Sequence, residues 1–87
     1  MEKEITILNK SGLHARPAAV FVKEAIKFKS DISIERNDKK VNAKSMLAVL
    51  SCGLEQGAKV RLIVVGEDEA EAMAALVDIV QRGLGEE

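Results

Sequence analysis

Residues 31–43, DISIERNDKKVNA, decide the fold class of this chain. Ile32 and Ile34 alternate with polar side chains, which is the period-two pattern of a strand with one buried face. The pair Asn37-Asp38 tolerates the left-handed backbone of a tight turn, and the residues after it return as a hairpin partner. Because the two strands of a hairpin are antiparallel, the stretch predicts an α+β protein with two layers.

The remaining elements lie on both sides of this hairpin. Period-two alternation predicts strands, and apolar side chains spaced three and four residues apart predict helices. The predicted elements are a strand at 2–8, a helix at 15–28, strands at 31–36 and 39–43, a short helix at 46–51, a strand at 60–65 and a helix that opens at 66–69 and closes at 82–83. The order is therefore βαββαβα, in a single domain that spans residues 1–87.

The two longer helices each have an apolar stripe that is expected to cover the sheet. Pro17 falls in the first turn of the first helix, where its missing N–H costs nothing. The predicted buried positions are Ala18, Phe21, Val22, Ala25 and Ile26 in the first helix, and Met73, Leu76, Val77 and Val80 in the last.

Composition excludes several classes of function. The chain has 87 residues and a net charge of −1, and no apolar run approaches the roughly 18 residues of a membrane span. We therefore expect no membrane insertion. The lone Cys52 cannot form an internal disulfide, which agrees with a protein of the reducing cytoplasm. One cysteine and one histidine make a zinc site improbable, and we predict neither a metal nor a cofactor. Only two aromatic residues are present, which argues against direct nucleic-acid binding by base stacking.

Charge is unevenly distributed along the chain. Residues 1–44 contain ten Lys or Arg and six Asp or Glu, whereas residues 45–87 contain three and eight. This asymmetry is compatible with an ordinary solvated surface. It is also compatible with a basic face that attracts an anion or an acidic partner.

The stretch with the clearest chemical content is residues 11–18, SGLHARPA. Its histidine, His14, is the only one in the chain and stands between a glycine-containing loop and a predicted helix start. Such a helix start offers unpaired backbone N–H groups and a favourable potential for anions. A histidine near neutral pH keeps a nitrogen lone pair that can accept a phosphoryl group, and Arg16 can pair with phosphate oxygens. The alternative is a capping or packing histidine beside a surface arginine.

Residues 11–18 resemble the active-site signature of the histidine-containing phosphocarrier family, HPr, of the bacterial phosphoenolpyruvate:sugar phosphotransferase system. Residues 41–50, VNAKSMLAVL, resemble the second signature of that family. The resemblance implies an open-faced β-sandwich with a four-stranded antiparallel sheet of order 1-4-2-3, covered on one face by three helices. It further implies that enzyme I phosphorylates His14 on Nδ1, that Arg16 assists, and that enzyme IIA domains of sugar permeases receive the phosphoryl group. The protein would then be a carrier rather than a free-standing enzyme, and we expect a monomer.

Ser45 is the second predicted site. Its position before the short helix predicts an N-cap. In regulated members of the family, HPr kinase/phosphorylase phosphorylates the matching serine with ATP, and the product acts with the regulator CcpA in catabolite repression. The same serine occurs in relatives that lack the kinase, and Ala48 stands where many regulated relatives have glycine. Ser45 therefore permits this regulation without requiring it.

The residues after Ser45 are candidates for partner docking. Met46, Leu47 and Leu50 are predicted to form an apolar patch on the short helix, close to the His14 loop. Met46 and Leu47 are the candidates for an exposed docking surface, because methionine adapts to several partners. Core packing is the alternative for both residues, and for Leu50 it is the preferred prediction. The family resemblance implies that enzyme I and the kinase dock at this patch.

Three functions thus remain open from the sequence. The first is the phosphocarrier, and a nitrogen-regulatory branch of the family would use the same chemistry. The second is a regulatory paralogue that uses only Ser45; such relatives typically lack the histidine. The third is a binding domain without phosphoryl chemistry.

Overall fold

The predicted order of elements and the α+β class are confirmed by a computed structural model, which describes residues 1–85. Four strands form one antiparallel sheet of order β1-β4-β2-β3. The elements are β1 Glu2–Thr6, α1 Ala15–Ile26, β2 Asp31–Arg36, β3 Lys39–Asn42, α2 Met46–Leu50, β4 Lys59–Val65 and α3 Glu69–Gln81. The open-faced sandwich expected from the resemblance is therefore observed.

The β2–β3 hairpin forms as the sequence predicts. Asn37 and Asp38 have φ values of 53° and 66°, and Arg36 pairs with Lys39 across the turn. Positive φ at both central residues is the requirement of the two-residue hairpin turn whose twist matches that of its strands. The turn thus sets the register in which Ile34 lies opposite Val41.

The helices cover one face of the sheet. On the central strand β4, Val60, Leu62 and Val64 are buried, and the residues between them are exposed or half-buried. The opposite face carries charged side chains; Arg61 lies there, with its guanidinium 3.4 Å from the carboxylate of Glu35. Because only one face is apolar, a single helical layer is enough to bury the core.

The first helix differs from the prediction in its end and in one core position. Lys27 N–H and Phe28 N–H donate to carbonyls three residues earlier, and this tighter last turn ends α1 at Ile26 rather than at Phe28. Ile26 was predicted to be buried but is 58% exposed. Ala25 lies at the centre of the buried stripe and Val22 at its edge. Ile26 is rotated 100° from Ala25, which places it beyond Val22 and toward solvent. The prediction for Ile26 was therefore wrong.

The ends of three other elements also differ slightly from the predicted bounds. Strand β1 ends at Thr6, because Ile7 exchanges hydrogen bonds with the Gly57–Ala58 segment instead of with β4. Strand β3 ends at Asn42 and α2 ends at Leu50, each one residue before its predicted end. Val77 is half-buried, whereas the other predicted positions of the last stripe are buried.

A carboxylate ties the start of α3 to the segment after α1. Asp68 accepts hydrogen bonds from the backbone amides of Lys29 at 2.8 Å and Ser30 at 2.9 Å, and from the Ser30 hydroxyl. Gly66 allows this approach, since a Cβ there would lie 2.6 Å from Ser30 Cα. The hydroxyl of Ser30, together with the amide of Lys29, lowers the pKa of Asp68 to about 2.

We therefore expect Asp68→Asn to lower the melting temperature at pH 7. The folded-state pKa lies below the unfolded one, so the carboxylate stabilises the fold above about pH 4, the ordinary value for Asp. This contribution is lost as the pH falls toward 2. The difference in melting temperature between the parent and Asp68→Asn should therefore shrink between pH 5 and pH 2 in a series of thermal melts.

The exposed residue Asp31 provides the control for this series. Asp31→Asn should follow the parent over the whole pH range. A melting-temperature difference for Asp68→Asn that stays constant down to pH 2 would show that the ionised carboxylate is not what stabilises the connection.

Candidate functional site

The loop before α1 is held against a distant segment by backbone contacts. Gly12 has φ +68°, and a Cβ at this position would lie 2.3 Å from Leu54 O. The amide of Leu13 donates to the same Leu54 carbonyl at 2.8 Å, and the Leu13 side chain is buried. The Asn9 side-chain amide donates to Gly12 O across the loop. The residue that follows, His14, is therefore carried by a fixed backbone.

His14 is the N-cap residue of α1, and its side chain is exposed. Its backbone is extended, with φ −86° and ψ −171°, and its carbonyl accepts from Ala18 N–H at 2.9 Å. The imidazole makes no capping hydrogen bond to the helix. The predicted alternative of a capping histidine therefore has no support, and burial in the core is excluded by the exposure.

The first turn of α1 provides the groups that suit an anion. The amides of Ala15 and Arg16 have no intrahelical carbonyl to bond, and Pro17 lacks an N–H altogether. Arg16 is exposed two residues after His14. A phosphoryl group on the imidazole would meet the positive end of the helix and be within the range of a guanidinium.

One side of α1 carries three exposed cations, of which Lys27 pairs with Glu24 at 3.1 Å. Arg16, Lys23 and Lys27 are exposed at spacings of seven and four residues, which places them on one side of a helix. Ile26 is exposed between the two lysines in the sequence. Periodicity places Lys23 and Lys27 off the buried stripe, but Ile26 was assigned to that stripe. The charge excess in residues 1–44 was the signal that could have located this surface.

Ser45 caps α2 as predicted. Its Oγ accepts from Ala48 N–H at 3.2 Å, and its backbone is extended. Before it, Lys44 Nζ donates to Phe28 O at 2.7 Å, at the carboxyl-terminal end of α1. This end of α2 is thus fixed to the end of α1, whereas the segment after α2 is fixed through Leu54 to the His14 loop.

The structure separates the two predicted docking residues. Leu47 is 81% exposed, the largest exposure among the large hydrophobic side chains of residues 1–85. Met46 is half-buried and packs against the core, as does Leu50. Cys52 is also half-buried, with Sγ 3.6 Å from Ala48 O. Leu47 is therefore the residue of α2 that offers apolar surface to a partner.

Neither a metal-binding cluster nor a membrane-spanning helix is present in residues 1–85. No group of three or more His, Cys, Asp or Glu in residues 1–85 is arranged to hold a metal ion. Within the same part of the chain, no helix is both long and apolar enough to cross a membrane.

The site is thus an exposed histidine at the start of the first helix of an open-faced βαββαβα sandwich. A family profile described as the PTS HPr component phosphorylation site matches residues 1–82. A crystal structure of HPr from Thermoanaerobacter tengcongensis superimposes with a TM-score of 0.96 at 53% identity, covering 100% of this chain and 98% of that one. The chain belongs to the HPr family.

Curated relatives include proteins named HPr-like protein Crh. The HPr-like protein Crh of Halalkalibacterium halodurans is 46% identical over 82 residues, covering 94% of this chain and 98% of that protein. A crystal structure of Crh from Bacillus subtilis, described as a catabolite repression protein in an intertwined, domain-swapped dimer, gives a TM-score of 0.77 at 46% identity, with 93% of each chain covered. This relative does not support the prediction of a monomer.

Proposed function

We propose that this chain is the general phosphocarrier of the phosphoenolpyruvate-dependent sugar phosphotransferase system. Enzyme I, charged by phosphoenolpyruvate, transfers its phosphoryl group to His14, and enzyme IIA domains then receive it. The observation that carries the proposal is an exposed imidazole held by a fixed loop at the amino-terminal end of α1. The protein acts as a single domain of residues 1–87 in the cytoplasm, without a metal or cofactor.

In the transfer step, the neutral imidazole Nδ1 attacks phosphorus and forms a P–N bond while the bond to the donor breaks. The first-turn amides and Arg16 stabilise the negative charge on the phosphoryl oxygens. No second acid–base pair is needed in this chain, because the partner supplies the rest of the catalytic groups. The return step uses the same contacts with the enzyme IIA domain as acceptor.

The experiment is mass spectrometry after two separate incubations. With enzyme I and phosphoenolpyruvate, one phosphoryl group should appear on His14, labile in acid and stable in alkali, as expected of a phosphoramidate. With HPr kinase/phosphorylase and ATP, an acid-stable phosphoryl group should appear on Ser45. No addition in the first incubation would reject the carrier function.

A regulatory protein that uses only Ser45 is the second candidate, because the curated relatives at 46% identity are Crh proteins. Its supporting feature in this chain is an N-cap serine beside the exposed Leu47. His14 favours the carrier, since a purely regulatory protein has no use for it. Phosphorylation in the second incubation alone would favour this candidate. Action with CcpA in catabolite repression is compatible with either function.

Arg16 should speed transfer without supporting the fold. Arg16→Ala is expected to reduce the rate of His14 phosphorylation by at least about tenfold, since a charge-assisted hydrogen bond contributes about 1.5–3 kcal/mol. The exposed side chain predicts an unchanged melting temperature. Rapid-quench measurement of phosphoryl transfer checks the prediction, with Lys59→Ala, an exposed cation on the helix-free face of β4, as the control. Transfer as fast as in the parent would remove Arg16 from the mechanism.

Leu47 should contribute to docking. Leu47→Glu is expected to raise the KM of enzyme I for this protein by about fivefold or more, because docking would bury an unpaired carboxylate in an apolar contact. Its melting temperature should stay close to that of the parent, whereas Met46→Glu should destabilise the fold because Met46 packs on the core. Val65→Glu is the matched control, since Val65 is 57% exposed on β4. Equal effects of Leu47→Glu and Val65→Glu would contradict a local docking role.

A further inference from the structure

A second basic feature lies beside the His14 loop, in a cleft between that loop and the end of α3. The cleft has a volume of about 770 Å³, within the range of small-molecule sites. Lys10 of the loop, Arg16 of α1 and Arg82 at the end of α3 line it together. These three cations come from segments that are far apart in the sequence, so only the fold collects them.

Among the described residues, the lining of this cleft carries positive charges only. No carboxylate is among the described residues that line it. Arg82 donates to Asp78 through Nη2 at 2.7 Å, which leaves the other guanidinium nitrogens available. Lys10 and Arg16 form no ion pair with a carboxylate of residues 1–85. Two guanidiniums and an ammonium that face one space favour a doubly charged anion.

The other lining groups indicate what the anion would carry. Gln56 donates through Nε2 to Leu8 O at 3.3 Å, which leaves its Oε1 to accept from a hydroxyl group. Gln81 also presents an amide, and Leu8, 49% exposed, provides apolar surface. The volume exceeds that of a lone phosphate ion. We propose that this cleft binds a small organic phosphate monoester, with the phosphate between Arg16 and Arg82.

Arg16 couples the cleft to phosphoryl transfer. A guanidinium engaged by a phosphate ester in the cleft is less available to the phosphoryl group on His14. Occupancy of the cleft should therefore slow transfer from enzyme I. This second part rests on the proposed function, whereas binding itself does not.

Binding is tested by NMR titration of the ¹⁵N-labelled full chain with glycerol 3-phosphate at constant ionic strength, with glycerol as the uncharged control. Saturable amide shifts are expected in residues 8–11, 16 and 81–85. Arg82→Gln should weaken the affinity by at least about fivefold, as expected for loss of a charge-assisted contact. Arg36→Gln is the matched control, because Arg36 also pairs with a carboxylate, at 2.9 Å from Glu55, but lines no part of this cleft; it should leave the affinity within about twofold.

Three results would overturn the binding site. Equal losses in Arg82→Gln and Arg36→Gln would indicate unspecific charge attraction. Shifts confined to the first turn of α1 would assign the anion to the His14 site alone. Binding that appears only when Glu86 and Glu87 are both changed to Gln would assign the cleft to the chain's own acidic residues.

The coupling is tested by the initial rate of His14 phosphorylation with and without a saturating concentration of glycerol 3-phosphate. The parent should slow severalfold, and Arg82→Gln should slow less at the same concentration. An unchanged rate in the parent at full occupancy would overturn the coupling. If enzyme I does not phosphorylate the protein at all, the proposed function fails, but the NMR titration still decides whether the cleft binds the ester.

Discussion

His14→Ala should abolish phosphoryl transfer from enzyme I and phosphoenolpyruvate, with a signal at the detection limit of intact-mass measurement. His14 is the only histidine in the chain, so no other imidazole can form the P–N bond. The fold should be unaffected, because the side chain is exposed and makes no capping hydrogen bond to α1. A complete loss of acceptance at an unchanged melting temperature would therefore isolate the chemical role.

Ser45→Ala provides the control for this experiment. It removes the other predicted phosphorylation site and should still accept one acid-labile group from enzyme I. His14→Ala, in turn, should still accept an acid-stable group on Ser45 from the kinase and ATP, which proves that the protein is folded. A His14→Ala protein that still takes phosphate from enzyme I would disprove the assignment of the acceptor.

Ser45→Asp should fold normally and accept phosphate from enzyme I about tenfold more slowly, through repulsion of an acidic donor. Aspartate is as good an N-cap as serine, so the bond to Ala48 N–H can be replaced. The added charge meets the amino-terminal end of α2, which favours an anion. A large conformational change is therefore not required for regulation.

The position of Ser45 suggests how its charge would act. The hydrogen bond from Lys44, just before α2, is made to Phe28 O at the end of α1 and not to the His14 loop. We therefore expect the charge to act on a partner that covers α2, where Leu47 is exposed, and the basic face of α1 with Lys23 and Lys27. The chemistry of His14 itself should remain intact in Ser45→Asp.

Ser45→Asn separates charge from capping, because it keeps a capping oxygen without the charge. It should accept phosphate at the rate of the parent. The slower rate of Ser45→Asp should approach that of the parent as salt is raised, since exposed charges are screened. An unchanged rate of Ser45→Asp at low salt would remove the electrostatic explanation, and a collapsed melting transition would show that Ser45 acts only as a cap.

Several features of this protein were predictable from the sequence because they depend on neighbouring residues. The Asn37-Asp38 turn follows from side chains that tolerate positive φ. Pro17 in the first turn located the start of α1, and Ser45 located the start of α2. The His14 and Ser45 motifs also permitted a family resemblance, which supplied the strand order that periodicity alone could not.

The tertiary structure decided what depends on residues far apart in the chain. Ile26 fits the period of a buried stripe, but its exposure was determined by where α1 meets its neighbours. The Gly12 contact with Leu54 and the Asp68 contact with Ser30 join segments about 40 residues apart. The cleft with Lys10, Arg16 and Arg82 likewise exists only because the loop before α1 lies beside the end of α3. Sequence periodicity records which face of an element is apolar, whereas such contacts depend on how the elements pack, and packing is a property of the whole fold.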